Sequence, residues 1–243
     1  MEERGDIRTA VRERYGAIAE GKGGCCGDGG CCTTAELGYS AEEKAAIPDG
    51  ANLGLGCGNP IGLADPKRGE TVLDLGSGAG IDAFLAAREV GPEGLVIGVD
   101  MTPAMIERAR ANAAKSGHAN VEFRLGEIEH LPVSDASVDL IVSNCVVNLS
   151  PEKDRVFREA YRVLKPGGRM LVSDLVLSQP LPKETRESIE AYVGCIAGAS
   201  LRADYLGFIR GAGFTEVEVV REGRYGAEPV TSVQVRAVKR GGA

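Results

Sequence analysis

Residues 71–80 read TVLDLGSGAG, a short apolar run followed by a glycine-rich turn, and this stretch decides the fold. A helical pattern follows the turn and ends at Gly91-Pro92, a common stop signal. Glycine lets the backbone turn sharply and pass close to a ligand, and the free N–H groups at a helix start suit an anionic group. The pattern predicts a buried strand, a ligand-binding turn and a helix. The candidate ligand-binding residues are Asp74, Gly76, Ser77, Gly78 and Gly80.

A second apolar run, residues 95–99, ends at Asp100. A carboxylate at the end of the second strand accepts hydrogen bonds from ribose hydroxyls in nucleotide-binding folds, so we expect a nucleoside cofactor. The glycine spacing is G-x-G-x-G, and the third glycine of the G-x-G-x-x-G fingerprint would fall on Ile81, which argues against a nicotinamide dinucleotide. The alternative is a glycine-rich turn that only closes a strand–helix unit.

Apolar runs and helical patterns alternate along the rest of the chain, which predicts βαβ units and a mostly parallel sheet covered on both faces. The last two apolar runs are joined by a segment too short for a helix, so we expect an antiparallel hairpin at the edge. Helices are predicted at residues 1–20, 183–199 and 202–212, among others. The predicted strands are residues 71–75, 95–99, 121–125, 138–143, 169–177, 216–220 and 231–238.

The composition and the charge argue against nucleic acid and membranes as partners. The 243 residues include 28 basic and 35 acidic side chains, a net charge of −7. Phosphate binding needs a concentrated basic surface, so nucleic acid is not expected as a partner. No apolar run approaches the roughly 18 residues that a membrane helix needs, and the charged start lacks the apolar region of a signal peptide. We therefore expect a cytoplasmic protein with no membrane partner.

Two glycine-rich segments precede the first strand. Residues 21–34 read GKGGCCGDGGCCTT, and six glycines with four cysteines in that stretch predict a loop rather than a regular element. Residues 50–66 read GANLGLGCGNPIGLADP and predict a second loop that wraps around a ligand. We therefore divide the chain into an N-terminal helix and glycine/cysteine-rich extension that contributes to the substrate site, residues 1–66, and an α/β domain, residues 67–243.

Four motifs within residues 71–177 resemble, in order, those of class I S-adenosylmethionine-dependent methyltransferases: DLGSGAG, VIGVDMT, GEIEHLPVSDASVDLIVSN and LKPGG. The resemblance implies a Rossmann-like α/β fold. Its sheet would be seven-stranded and mostly parallel, with an antiparallel edge hairpin and a helical insertion near residues 180–212.

The same resemblance implies that Gly76, Gly78 and Gly80 lie against the cofactor S-adenosylmethionine. It also implies that Asp100 binds the ribose of the cofactor. It places the adenine near Met101, Glu127 and Ile128, and the sulfonium near Asn144. By residue type alone, Met101 and Ile128 would be read as core residues.

Three cysteines are spread along the chain near this predicted site. Cys145 follows Asn144 at the carboxyl end of the fourth strand, where open α/β sheets bind ligands. Cys57 lies in the glycine-rich segment ahead of the first strand, and Cys195 lies in the predicted helix after the fifth strand. Thiolates bind soft, thiophilic centres such as trivalent arsenic. The sequence therefore suggests a soft methyl acceptor.

Other interpretations of the cysteines stay open. Cys145 and Cys195 are also consistent with small buried hydrophobic residues, a common role of free cysteine. The pairs Cys25-Cys26 and Cys31-Cys32 are consistent with a loose metal clip, although a zinc site would favour C-x-x-C units with histidine.

The segments GLGCGNP, SNCVVNLSPEKDRVFREAYRVLKPGG and EAYVGCIAGA closely resemble arsenite methyltransferases. The resemblance implies that Cys57, Cys145 and Cys195 bind As(III) and serve the chemistry, together with one N-terminal cysteine, for which we favour Cys26 or Cys32. It implies arsenite and methylarsenite as substrates. It also implies that a disulfide between nearby cysteines, for which we favour Cys57 and an N-terminal cysteine, returns electrons to arsenic. A thiol reductant such as glutathione or thioredoxin would then reset the enzyme.

Two rival functions remain. One is a methyltransferase for a carbon or oxygen acceptor such as a quinone, which would need a histidine, aspartate or tyrosine base near Asn144 and would not use thiols. The other is a non-enzymatic, thiol-based protein that binds a metalloid or metal without the cofactor.

Overall fold

The computed structural model describes residues 2–22, 38–226 and 228–241. The predicted site residues Cys26 and Cys32 lie outside the described residues. Within the described part of the chain, no helix combines the length and the apolar character needed to cross a membrane.

One sheet forms the centre of the molecule, with strand order β3-β2-β1-β4-β5-β8-β7 and a short strand, β6, that pairs with β5. The first five strands run parallel, and β8 is antiparallel to both β5 and β7. The strands are β1 Thr71–Leu75, β2 Leu95–Asp100, β3 Val121–Leu125, β4 Val138–Asn144, β5 Leu164–Leu177, β6 Ser200–Leu201, β7 Thr215–Arg224 and β8 Val230–Val238.

The predicted mostly parallel sheet with an antiparallel edge pair is confirmed. All seven predicted strands are present, and the two-residue β6 is an eighth strand that the sequence did not predict. The order reverses at β1, which lies between β2 and β4. In open α/β sheets such a reversal opens a crevice at the carboxyl ends of the strands, where ligands bind.

Helices cover both faces of the sheet and bury its apolar side chains. One face packs against α4 and α5 through Phe84 and Ile106, and the other packs against α6 and α9 through Phe157 and Tyr205. The helices are α1 Glu2–Ala19, α2 Ala41–Ala45, α3 Ile61–Ala64, α4 Ile81–Val90, α5 Pro103–Ser116, α6 Lys153–Val163, α7 Lys183–Arg186, α8 Ile189–Val193 and α9 Arg202–Gly211, with a 3-10 turn at Val147–Leu149.

The prediction of one helix over residues 183–199 is wrong. Two short helices, α7 and α8, occupy the segment, and Ser188 separates them because its side-chain oxygen accepts a hydrogen bond from the Ala191 N–H, as an N-cap does. The second helix ends at Gly194, and Cys195 follows in the left-handed region with φ 65°. Because α8 ends at Gly194, Cys195 lies outside the helix, and this affects its position in the site.

Candidate active site at the carboxyl ends of the strands

A cavity of about 900 Å³ opens where the sheet order reverses. Its wall begins at the carboxyl ends of β1, β2 and β4, continues over α1, and ends at the segment that follows α7. Among the predicted site residues, those that line it are Asp74, Gly76, Ser77, Gly78, Asp100, Met101, Ile128, Asn144, Cys145 and Cys195. Gly80, Glu127 and Cys57 do not line it.

The glycine loop, residues 76–80, needs glycine for steric reasons that differ along its length. A Cβ on Gly76, whose φ is 66°, would lie 2.3 Å from Cγ2 of Val146. A Cβ on Gly80 would lie 2.7 Å from the Phe84 ring, so Gly80 allows the helix to pack on the strand rather than touching a ligand. The nearest atom to a Cβ on Gly78 is Sδ of Met105 at 4.0 Å. The middle of the loop therefore faces open space in the cavity.

Asp100 holds the glycine loop in place as well as facing the cavity. Its two carboxylate oxygens accept hydrogen bonds from the Gly78 N–H at 3.0 Å and from the Thr102 N–H at 2.8 Å. Burial raises the pKa of Asp100, and these two hydrogen bonds act in the opposite direction. Each oxygen retains a lone pair, so the same carboxylate can also accept from a ligand hydroxyl.

Three residues of the cavity wall each have one buried polar atom without a hydrogen-bond partner among the described residues: Nε of Arg8, Oδ2 of Asp74 and Oγ of Ser77. Burial, followed by the charges of Asp82 and Asp100, raises the pKa of Asp74 well above its ordinary value. A backbone hydrogen bond from Ala83 offsets part of this shift, and a cation or a hydrogen-bond donor at the unpartnered oxygen would relieve the remaining cost of burial. The three carboxylates therefore fit a ligand that carries positive charge and hydroxyl or amine donors.

Asn144 is the centre of a hydrogen-bond network that the sequence did not predict. Its Nδ2 lies 2.7 Å from the Gly58 carbonyl oxygen, 3.1 Å from Oδ2 of Asp82 and 3.0 Å from the Tyr39 hydroxyl. Its Oδ1 accepts from the Cys57 N–H at 2.9 Å, and the Tyr39 hydroxyl donates to Oδ1 of Asp82 at 2.7 Å. The amide thus ties the Cys57 segment to the end of β4, in addition to facing the cavity.

Helix α1 covers the cavity and contacts both of its ends. Arg8 forms ion pairs with Glu129 at 3.1 Å and with Glu152 at 2.7 Å, and Arg12 pairs with Glu127. At the other end the Tyr15 hydroxyl donates to the Val193 carbonyl oxygen at 3.3 Å. Glu127, predicted beside the adenine, is therefore engaged by α1.

Two of the three candidate cysteines are bonded to each other. Cys57 and Cys145 form a disulfide with a Cα–Cα distance of 5.8 Å across 88 residues of sequence. The pairing of Cys57 with an N-terminal cysteine is thus not the one in this structure. Strand β8 also holds the Cys57 segment beside β4, because the Ser232 hydroxyl donates to the Cys57 carbonyl oxygen at 3.0 Å.

Cys195 is a buried free thiol beside this disulfide. Its sulfur donates to the Cys145 carbonyl oxygen at 3.1 Å. Burial, followed by the negative charge of Asp174, raises the pKa of the Cys195 thiol to about 12. Both Cys145 and Cys195 have positive φ, 59° and 65°. Backbone strain of this kind in non-glycine residues is concentrated at functional sites.

Several residues of the site escaped the sequence reasoning: Tyr15, Tyr39, Asp82, Glu129 and Asp174. Asp82 carried a usable signal, since it is an acidic residue in the first turn of the helix that follows the glycine loop. Burial raises its pKa to about 6. The other four carried no local signal, because their contacts exist only in the tertiary fold. Tyr15 and Glu129 line the cavity. Tyr39 contacts Asn144, and Asp174 lies beside the disulfide.

A family model described as a methyltransferase domain matches residues 66–222. The chain is 54% identical over 229 residues to an arsenite methyltransferase from Halobacterium salinarum, an alignment that covers 88% of this chain and 59% of that protein. It is 42% identical over 149 residues to an arsenite methyltransferase from Homo sapiens, covering 57% of this chain and 40% of that protein. The chain thus spans about half the length of the curated relatives it matches.

A crystal structure of an arsenic(III) S-adenosylmethionine methyltransferase from Chlamydomonas reinhardtii has a similar fold. The TM-score is 0.69 at 36% sequence identity, and the match covers 85% of this chain and 72% of that chain.

Proposed function

The chain belongs to the arsenite methyltransferase family of methyltransferase-domain proteins, and we propose that it transfers methyl groups from S-adenosylmethionine to trivalent arsenic bound by cysteine thiolates. One observation carries the proposal. Cys145 and Cys195 line the same cavity as the glycine loop and Asp100. A thiol-bound acceptor and a nucleoside methyl donor would therefore meet in one enclosed space, and such positioning contributes roughly 7–11 kcal/mol to catalysis.

The residues present fit the methyl donor. S-adenosylmethionine would supply an electrophilic methyl group on a sulfonium. Asp100 would accept hydrogen bonds from its ribose, and Met101 and Ile128 would flank its adenine. The unpartnered oxygen of Asp74 would receive its ammonium group, and the neighbouring carboxylates Asp82 and Asp100 favour its positive charge.

Cys145 is available for arsenic only after the Cys57–Cys145 disulfide is reduced. Two equivalents of glutathione, or one dithiol such as reduced thioredoxin, supply the two electrons and two protons, and a reducing compartment such as the cytoplasm maintains that supply. Each protein thiol then displaces one hydroxyl of arsenous acid, forming an As–S bond and releasing water. Burial raises the pKa of the Cys195 thiol to about 12, so its proton must leave with the displaced hydroxyl as water when the As–S bond forms.

The acceptor needs no general base. The arsenic lone pair forms the new As–C bond as the methyl–sulfur bond breaks, so arsenic rises from the trivalent to the pentavalent state. Two cysteine thiols then return two electrons by forming a disulfide. Cys57 and Cys145 are one pair that can do so, and Cys57 with an N-terminal cysteine such as Cys26 or Cys32 is another. Repetition would give mono- and dimethylated products.

The test is to incubate the reduced protein with arsenite, S-adenosylmethionine and glutathione, and to separate the arsenic species by chromatography with mass detection. We expect mono- and dimethylated arsenic. Bound cofactor without any methylated arsenic would overturn the proposal. Serine in place of the N-terminal cysteines should have a milder effect than serine at Cys145 or Cys195, chiefly on the first methylation.

A carbon or oxygen acceptor such as a quinone is a second candidate, because Asp82 supplies a buried carboxylate beside Asn144 with a pKa near 6. A carboxylate with that pKa suits a general base at neutral pH. The two candidates respond oppositely to one treatment. Alkylation of the cysteines should abolish arsenic methylation and spare methylation of a quinone.

A further inference from the structure

A buried carboxylate, that of Asp174, faces the disulfide and has no part in the arsenic chemistry proposed above. The sulfurs of Cys57 and Cys145 and a carboxylate oxygen of Asp174 all lie within 4.8 Å of one another, and all three residues are buried. Trivalent arsenic takes three sulfur ligands and needs no carboxylate. An ionised carboxylate is costly to bury, and the charge of Lys153 offsets part of that cost here.

Asp174 is held in one orientation by groups behind it. The Leu175 N–H donates to Oδ1 at 2.9 Å, and the Tyr205 hydroxyl donates to Oδ2 at 3.1 Å. Tyr205 is itself fully buried and packs edge-to-face on Phe157. Carboxylates that bind metals are oriented by hydrogen bonds of this kind, which leave other lone pairs free for the metal.

The donor set is that of a zinc-group cation. We propose that, once the Cys57–Cys145 disulfide is reduced, the two thiolates and the Asp174 carboxylate bind one Zn²⁺ ion, with water as the fourth ligand. Zinc accepts both thiolate and carboxylate in tetrahedral sites, whose ligand atoms lie roughly 3.6–3.8 Å apart. The sulfurs must move apart after reduction, and the carboxylate must approach by a distance on the order of 1 Å.

The charges of the site balance. Two thiolates and one carboxylate with Zn²⁺ leave a single negative charge, and Lys153 lies close enough to Asp174 for the two to interact electrostatically. The Lys153 ammonium donates to the Ser150 carbonyl oxygen at 2.9 Å, which keeps it beside the site. Reduction breaks the S–S bond with two electrons and two protons, and zinc binding then releases the two thiol protons.

Cys195 does not belong to this set. Its sulfur is directed at the Cys145 carbonyl oxygen, and it is not a member of the group of ligand atoms within 4.8 Å. Zinc and arsenic would therefore share two sulfurs and differ in the third ligand, Asp174 for zinc and Cys195 for arsenic. This proposal does not depend on arsenic methylation, since binding is measured without cofactor or arsenic.

The experiment uses the full chain with Cys25→Ser, Cys26→Ser, Cys31→Ser and Cys32→Ser, so that the N-terminal thiols cannot bind the metal. The protein is reduced without oxygen by a phosphine, which is oxidised to its oxide while the disulfide becomes two thiols. Zn²⁺ is then titrated against a chromophoric chelator. We expect one Zn²⁺ per chain in the reduced protein and none in the oxidised protein.

Single variants of that protein identify the ligands. Asp174→Asn should weaken zinc binding at least tenfold, and Cys57→Ser or Cys145→Ser should weaken it further. Cys195→Ser is the matched control and should retain the affinity. Absence of zinc binding, an unchanged affinity in Asp174→Asn, or a loss in Cys195→Ser equal to that in Cys145→Ser would each overturn the proposal.

X-ray absorption of the zinc-loaded protein tests the ligand set without Asp174→Asn, which removes a buried charge and therefore risks misfolding. Two sulfurs at about 2.3 Å and two oxygens at about 2.0–2.2 Å are expected. Three sulfurs would overturn the proposal, because the third would have to come from Cys195.

Discussion

The glycine loop and the cysteine cluster (Cys57, Cys145 and Cys195) line or adjoin the same cavity but are built in different ways. The glycine loop is contiguous, and local steric rules set its conformation. The cysteine cluster joins segments that are 88 residues apart for Cys57 and Cys145, and 50 apart for Cys145 and Cys195. A contiguous motif can be recognised from the sequence, whereas a cluster of this kind exists only after the sheet has formed.

The largest expected effect is a loss of arsenic methylation without a loss of cofactor binding. Cys145→Ser should lower the rate of arsenic methylation by about 1000-fold or more, because a hydroxyl is a poor ligand for a soft centre and the acceptor loses its position. The affinity for S-adenosylmethionine should stay within about twofold, since the cofactor pocket is built from other residues. Arsenic speciation and calorimetry measure the two quantities.

Cys195→Ser is the companion variant and should behave in the same way. Normal turnover by either protein would show that the cysteine cluster does not bind the acceptor.

The next effect concerns the backbone of the glycine loop. Gly76→Ala should lower the free energy of unfolding by about 2–4 kcal/mol, because φ is 66° and the new Cβ would meet Val146. Gly78→Ala, also at positive φ but with its nearest neighbour at 4.0 Å, should cost about 1 kcal/mol. Denaturant unfolding compares the two, and equal losses would mean that the Val146 contact is not the cause.

Asp100→Ala should weaken binding of S-adenosylmethionine by about 10- to 100-fold, because hydrogen bonds to a charged group contribute about 1.5–3 kcal/mol. The turnover at saturating cofactor should change much less, since Asp100 does not touch the cysteine cluster. Asp100→Asn keeps one acceptor oxygen and should show a smaller loss of affinity. An unchanged affinity in calorimetry would refute the role given to Asp100.

The smallest effect tests the link between the two regions. Tyr39→Phe removes the hydroxyl that donates to Asp82 and lies beside Asn144, which positions the Cys57 segment. The equilibrium constant for the Cys57–Cys145 disulfide should fall about fivefold, equivalent to about 1 kcal/mol. A redox titration against glutathione measures it, with Tyr161→Phe as a remote control. The same constant in all three proteins would mean that the network does not position Cys57.

The fold was predictable because each core strand is an apolar run that ends at a turn signal, as in residues 71–80. The helix break at Ser188 was not predictable in the same way, because residues 183–187 contain no proline or glycine to mark it, although the Ser188 side chain caps a new helix there. The apolar period shows which side chains can face the core, but it does not show where a capping hydrogen bond ends a helix.

The site residues that belong to contiguous motifs were predictable from the sequence, and those that meet only in the folded chain were not. Asn144, predicted beside the sulfonium, lines the cavity. Its ties to Cys57, Asp82 and Tyr39 depend on three separate segments meeting. The disulfide partner of Cys57 depends in the same way on contacts such as that from Ser232 on β8. Contacts between distant segments produce no repeating pattern in the sequence, so the sequence alone did not predict them.

The double attachment of Cys57 has a kinetic consequence. The Cys57 sulfur is bonded to Cys145, and the Cys57 N–H donates to the side chain of Asn144, the residue that precedes Cys145. Cutting the sulfur–sulfur bond therefore does not release the segment, and the two thiols keep a high effective concentration toward each other. In the proposed reaction, pentavalent arsenic would take two electrons from this pair as the thiols lose two protons and close to the disulfide, and this step should be faster than electron delivery by small thiols from solution.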